Sequence, residues 1–193
     1  MSERDDQDDE DQYQEDPAPS SAWALFQCRE NNNSNNTAIM KIYMQIPYAG
    51  SEFELPAVRR RQADGFDRFA HNEFTSLKTL TSNQCKSTPS LLDYKDEKQD
   101  DFGPVPGGFI LYLLMNELPG VRLTDDFWNL ERAERDKIRQ SFKAAWEDCV
   151  RCGVYKFGAD ISNLLWDKHR EKIYIVGFQM SRPSRPEDVW CDV

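Results

Sequence analysis

The stretch GVYKFGADISNLLWDKHREKIYIVGFQ (153–179) gathers the residues best suited to chemistry. It has the outline of a loop that could move a phosphoryl group: a helix end, a loop closing on Asn163, an apolar strand, a short connection, and a second strand ending in Phe178. Such a transfer needs a carboxylate to accept a proton from an alcohol, and hard oxygen ligands to hold Mg²⁺. Asp160 and Asn163 offer oxygen, whereas Gly158 and Gly177 offer none. Farther upstream, Lys41 interrupts the apolar run TAIMKIYMQI (37–46) and Glu73 sits in HNEF. Taken singly, Lys41 reads as a side chain snorkelling to water, Glu73 as a solvated helix residue, and Asn163 as a turn cap.

These residues need elements to position them. SSAWALFQC (20–28) reads as one strand, NNNSNN (31–36) as a polar loop, and 37–46 as a buried strand broken by PYAG. Phe66, Phe69, Ala70, Phe74, Leu77 and Leu80 recur at three- and four-residue steps and predict a helix, with Glu73 off the centre of its apolar stripe. Residues 89–94 read as a short strand, KDEKQDDFGPVPGG (95–108) as an exposed loop, and GGFILYLLMNELPG (107–120) as a central strand leading to a connector. The stretch 124–153 predicts a long amphipathic helix stopped at Gly153. Strands near Leu164–Trp166 and Ile173–Val176 then form a hairpin around DKHREK.

This order resembles the protein kinase superfamily, especially fungal kinase-like proteins. AIMK is similar to the family's Val-Ala-Ile-Lys strand, so the resemblance implies that Lys41 faces phosphates, with Glu73 as its helix partner. LLMNELPG is similar to the hinge, implying adenine contacts at Met115, Asn116, Glu117 and Leu118. Anchoring the catalytic-loop motif on Asn163 puts Lys156, Phe157 and Gly158 at its His, Arg and Asp, while IVGFQ puts Gly177 at the Mg²⁺-binding Asp.

The implied fold is α+β and protein-kinase-like: a small antiparallel N-lobe sheet (about 21–114) and a truncated helical C-lobe (about 119–180), between an acidic tail (1–20) and an irregular tail (181–193). A positioned general base is worth roughly 10²–10⁴ in rate, and charge neutralisation by metal supplies much of the rest. With glycine at both carboxylate positions, the resemblance implies a pseudokinase-like protein with no catalytic residues, no metal and no required cofactor. It would bind ATP weakly and without Mg²⁺, act by binding or as a scaffold, and have a protein partner covering the truncated lobe. Two alternatives stay open: a divergent phosphotransferase using Asp160, and a degenerate kinase fragment without activity.

Composition bounds the rest. The 193 residues suffice for one domain and an extension, and of the net charge of −10 the first twenty residues carry −8, nine acidic side chains against Arg4 alone. Such a self-repelling run is expected to be disordered, and the balance excludes a nucleic-acid partner, which wants a basic stripe. The odd count of five cysteines argues against a disulfide framework, and CVRC (149–152) reads as buried thiols because zinc wants four ligands. No basic and apolar leader and no membrane-length apolar run occur, so cytoplasmic or nuclear placement is expected. His71 and His169 lack nucleophilic companions, RRR (59–61) reads as a solvated loop, and Trp128, Trp146 and Trp166 as packing residues.

Overall fold

The computed structural model describes residues 20–31, 33–158 and 160–191. The acidic tail therefore lies outside the described residues, apart from Ser20, which opens the first strand. Strand β1 (Ser20–Glu30) and strand β2 (Asn33–Ile46) make one long antiparallel hairpin, with Trp23 opposite Tyr43 and Leu25 opposite Lys41. The Asn-rich stretch expected as a loop instead starts β2 at Asn33. Backbone pairing across the hairpin, from Arg29–Thr37 to Glu30–Asn33 past an irregular register, satisfies groups that an apolar core would not.

The two-residue period of β2 sends Lys41, Tyr43 and Gln45 to one buried face. After β2 come α1 (Pro56–Arg59), a 3-10 turn (Arg60–Gln62) and helix α2 (Arg68–Ser82), whose start Asp67 caps by accepting from Ala70 N at 2.7 Å. Ala70, Glu73, Ser76, Leu77 and Leu80 form its buried face, so Glu73 belongs to the stripe rather than beside it.

Strand β3 (Leu91–Lys98) and strand β4 (Phe109–Asn116) complete a four-stranded antiparallel sheet in the order β1-β2-β4-β3. Phe109, Leu111, Leu113 and Met115 point into the core on alternate positions of β4. The segment read as an exposed loop from Lys95 is strand as far as Lys98, and its turn is not fully exposed. Gln99 and Val105 are buried, and the Gln99 amide accepts from Val105 N and donates to Gln45 O, both at 2.8 Å. One buried side-chain amide thus satisfies backbone groups that would otherwise need water.

Below the sheet lie β5 (Val121–Arg122), a 3-10 turn (Asp125–Asn129) and helix α3 (Arg132–Arg151). The long helix begins later than its apolar period suggests, because Thr124 caps the 3-10 turn and Leu130 leaves helical geometry before α3 starts. Strands β6 (Val154–Lys156), β7 (Leu164–Asp167), β8 (Lys172–Ile175) and β9 (Ser181–Pro183) follow. The expected β7–β8 hairpin is present, and β9, within the stretch read as an irregular tail, pairs antiparallel with β6. Its anchorage is polar: Ser181 Oγ meets Ser76 Oγ of α2 at 2.8 Å, and Arg182 forks onto Asp188. Trp166 is buried, but Trp128 is 61 % exposed, so it is not a core residue. A continuous apolar core runs from Tyr43 and Leu113 through Ile138 to Ile175 and Phe178. Among the described residues no helix is long and apolar enough to cross a membrane.

Candidate functional site

Strand period and helix period converge on one buried polar cluster. Lys41 Nζ lies 2.5 Å from Glu73 Oε2, and the Tyr43 hydroxyl donates to the same carboxylate oxygen. The other oxygen of Glu73 accepts from Phe178 N at 3.3 Å, which ties α2 to the segment after β8. Two donors orient the Gln179 amide with its oxygen inward, Trp23 Nε1 at 3.1 Å and Lys41 Nζ at 3.3 Å. The ammonium also sits 4.4 Å from the centre of the Trp23 ring.

Lys41 is 4 % exposed and Glu73 2 %. Burial pulls the Lys41 ammonium below its ordinary range while Glu73 pushes it back up, and burial beside Glu73 drives the Tyr43 hydroxyl well above its ordinary range, keeping it a neutral donor. Lys41, Tyr43 and Glu73 are therefore committed to one another.

A cleft of about 470 Å³ opens beside this cluster. Lys41, Glu73, Met115, Asn116, Glu117, Leu118, Asp160, Asn163 and Gly177 all line it. Asn116 Oδ1 accepts from Ser90 N at 2.6 Å, and Gln27 of β1 reaches over to Glu117 with a 2.8 Å bond. Gly158 does not line this cleft. It borders an adjoining cavity of about 260 Å³ together with Asp160, Phe127 and Trp128.

The loop beneath holds Gly158 and Gly177, both with positive φ. Gly158 has φ +90°, a conformation that strains any L side chain, and open space around it save Met180 Cβ at 3.9 Å. Gly177 has φ +71°, and a Cβ there would collide with the side-chain oxygen of Asn163. A side chain at Gly177 thus requires the Asn163 amide to move. Asp160, not Asn163, does the capping: it accepts from Ser162 N at 2.8 Å at the start of the 3-10 turn Ile161–Asn163. Those Ser162 bonds, with Lys156 and Arg122 nearby, hold its carboxyl below the usual range and make it a weak base. Lys156, half-buried, spans the loop by donating to Gly177 O at 2.7 Å, and burial lowers its pKa.

Tyr43, Trp23, Gln179 and Arg122 complete the site without having been singled out from sequence. Tyr43 had a signal, two residues beyond Lys41 on a two-residue period, and Trp23 pairs across from it. Gln179 and Arg122 had none: one turns inward only after β8, and the other reaches Ser162 O from a strand of two residues.

No family model matches the sequence, and no curated protein matches it. Among solved structures the chain is similar to the Cydia pomonella granulovirus kinase PK-1, with a TM-score of 0.51 and 17 % identity, over 82 % of this chain and 48 % of that one. The chain spans about half the length of the solved kinase it matches. With its antiparallel upper sheet, single packed helix α2 and hinge, the chain has a protein-kinase-like fold.

Proposed function

We propose that this chain is a pseudokinase-like binding protein that does not transfer phosphate. The observation that carries the reading is the packing of Asn163 against Gly177: the resemblance sets glycine where a metal-binding carboxylate would stand, and a side chain there would have to displace Asn163. Mg²⁺ demands near-octahedral oxygen ligation, and one amide, already in van der Waals contact, does not provide it. Lys41 supports the same reading, since Glu73, Gln179 and the Trp23 ring enclose its ammonium and leave it little freedom to meet a phosphate. The cleft retains an apolar lining from Leu25, Ile39 and Leu165 with the hinge at its end, so a nucleotide would bind weakly, through its base and without metal. Binding to a protein would use the apolar rim below the loop, where Phe127 and the exposed Trp128 border the second cavity. The likeness to fungal kinase-like proteins rests on motif order, whereas the solved neighbour is viral.

The rival reading gives catalysis to Asp160, which does line the cleft. Its carboxylate, however, is engaged by Ser162 and held at low pKa, the reverse of what a general base needs.

Thermal shift with ATP, with and without Mg²⁺, tests the proposal. A ligand at 100 times its Kd adds about 2.7 kcal/mol of stability, so saturating Mg²⁺-ATP would announce itself. The expected result is a small rise, equal with and without Mg²⁺, and no transfer from labelled ATP. A large Mg²⁺-dependent rise, or transfer lost in Asp160→Asn, overturns it.

A further inference from the structure

Past the end of α2, cysteines from two segments distant in sequence come together. Cys85 follows α2 in the loop past Gln84, while Cys149 and Cys152 lie one turn apart where α3 ends. All three are at most 5 % exposed, and none is in a disulfide. Cys85 Sγ lies 3.3 Å from Asp148 Oδ2, and Cys152 Sγ donates to Asn83 O at 3.5 Å. The donor atoms of Cys85, Asp148 and Cys152 lie within 4.8 Å of one another. Zn–S bonds of about 2.3 Å put tetrahedral thiolate sulfurs roughly 3.8 Å apart, so the spread needs only a small contraction.

We propose that Cys85, Cys152 and Asp148 form a zinc site that clamps the loop after α2 to the end of α3. Two soft sulfurs and one carboxylate suit tetrahedral Zn²⁺ and disfavour Mg²⁺ or Ca²⁺, which want oxygen alone, and the fourth position falls to water from the groove that Asp148 lines. On binding, each thiol gives its proton to solvent and each sulfur forms a bond to the metal. Two thiolates and a carboxylate around Zn²⁺ leave one excess negative charge, and Arg151, already paired with Asp148, lies beside it. Asp148 also faces a surface groove with Ser87, Arg151 and Lys172, which gives the ion a way in. The neighbouring contacts already join the same two segments: Asn83 Nδ2 donates to Cys152 O at 2.9 Å, and Lys86 N to Asp148 Oδ2 at 3.0 Å.

Cobalt titration of the intact chain under anaerobic, reducing conditions tests the site. Expected are an equimolar endpoint, visible bands of tetrahedral Co²⁺, thiolate-to-cobalt charge transfer, and displacement of both by Zn²⁺. Cys85→Ser and Cys152→Ser should each weaken Zn²⁺ binding by more than about 100-fold, beyond the loss typical of an outer-sphere partner, while Cys191→Ser, at an exposed cysteine outside the cluster, changes nothing. If the ligand variants fail to fold, the titration of the unaltered chain decides alone. Absence of a tetrahedral spectrum, unchanged affinity in a folded Cys85→Ser, or a disulfide among these cysteines in freshly isolated protein overturns the proposal.

Discussion

The upper cluster around Lys41 and the lower loop around Asn163 face the same cleft and keep opposite halves of a kinase-like arrangement. In the upper cluster each charge has its partner: Lys41 with Glu73, Glu73 with Tyr43 and Phe178 N, and the Gln179 oxygen with Lys41 and Trp23. In the lower loop, glycine stands at both positions where the family resemblance places a carboxylate, and the Asn163 amide lies against one of them. The difference is physical. A buried ion pair cannot lose one member cheaply, because the survivor is left as an uncompensated charge in a dry interior. A partly exposed carboxylate in a loop carries no such penalty, so its loss costs chemistry and leaves folding intact.

Glu73→Ala gives the sharpest test of that asymmetry and the largest expected effect. It strands Lys41 at 4 % exposure and removes the acceptor of Tyr43 and Phe178 N, so it should cost about 3–5 kcal/mol in urea unfolding. Lys41→Met should cost less, since Glu73 keeps two hydrogen bonds and the apolar stem is replaced in kind. Equal and small losses would show that the upper cluster is as dispensable as the lower loop.

The two glycines come next, and they should differ. Gly177→Asp must both adopt φ +71° and push Asn163 aside, an expected cost of about 1–3 kcal/mol, whereas Gly158→Asp at φ +90° meets open space and should cost only the backbone strain, about 1 kcal/mol. Neither variant, nor the pair, should gain an Mg²⁺-dependent thermal shift with ATP while Asn163 lies against position 177. A metal-dependent gain in Gly177→Asp would mean that one substitution separates the two halves, and the contrast would collapse to a single missing oxygen.

How much of this was legible in the sequence follows from the range of the interactions. Strand and helix periods were local and placed Lys41, Leu77 and the β4 core correctly. The kinase-like order joined Lys41 to Glu73 across 32 residues, which neither period does alone. The Asn-rich turn misled because composition suggests a loop, while cross-strand pairing supplies the backbone partners that polar side chains do not need to provide. The stretch from Lys95 misled for the same reason: β3 is an edge strand with mostly exposed residues, so charge there says nothing against pairing. The cysteine cluster was invisible because CVRC supplies only Cys152 to it, and Cys85 approaches Asp148 across 63 residues without a local signal.

Asp160→Asn should have the smallest effect, and it separates the loop's architecture from its chemistry. Asn caps a helical turn about as well as Asp, so the bond from Ser162 N survives and only the charge goes. The folded carboxyl of Asp160 is held below its ordinary value of 3.8 by those bonds first, with Lys156 and Arg122 behind them. A depressed carboxyl contributes stability above the unfolded pKa, and that contribution disappears as pH falls through the folded one. The parent and Asp160→Asn should therefore differ slightly above about pH 4 and converge in acid, as read from urea midpoints against pH. A base poised for catalysis would show the reverse, a carboxyl raised toward neutrality whose variant gains stability as pH rises. Convergence in acid thus identifies a cap, and a cap in the one place where oxygen remains is what a loop retained for shape requires.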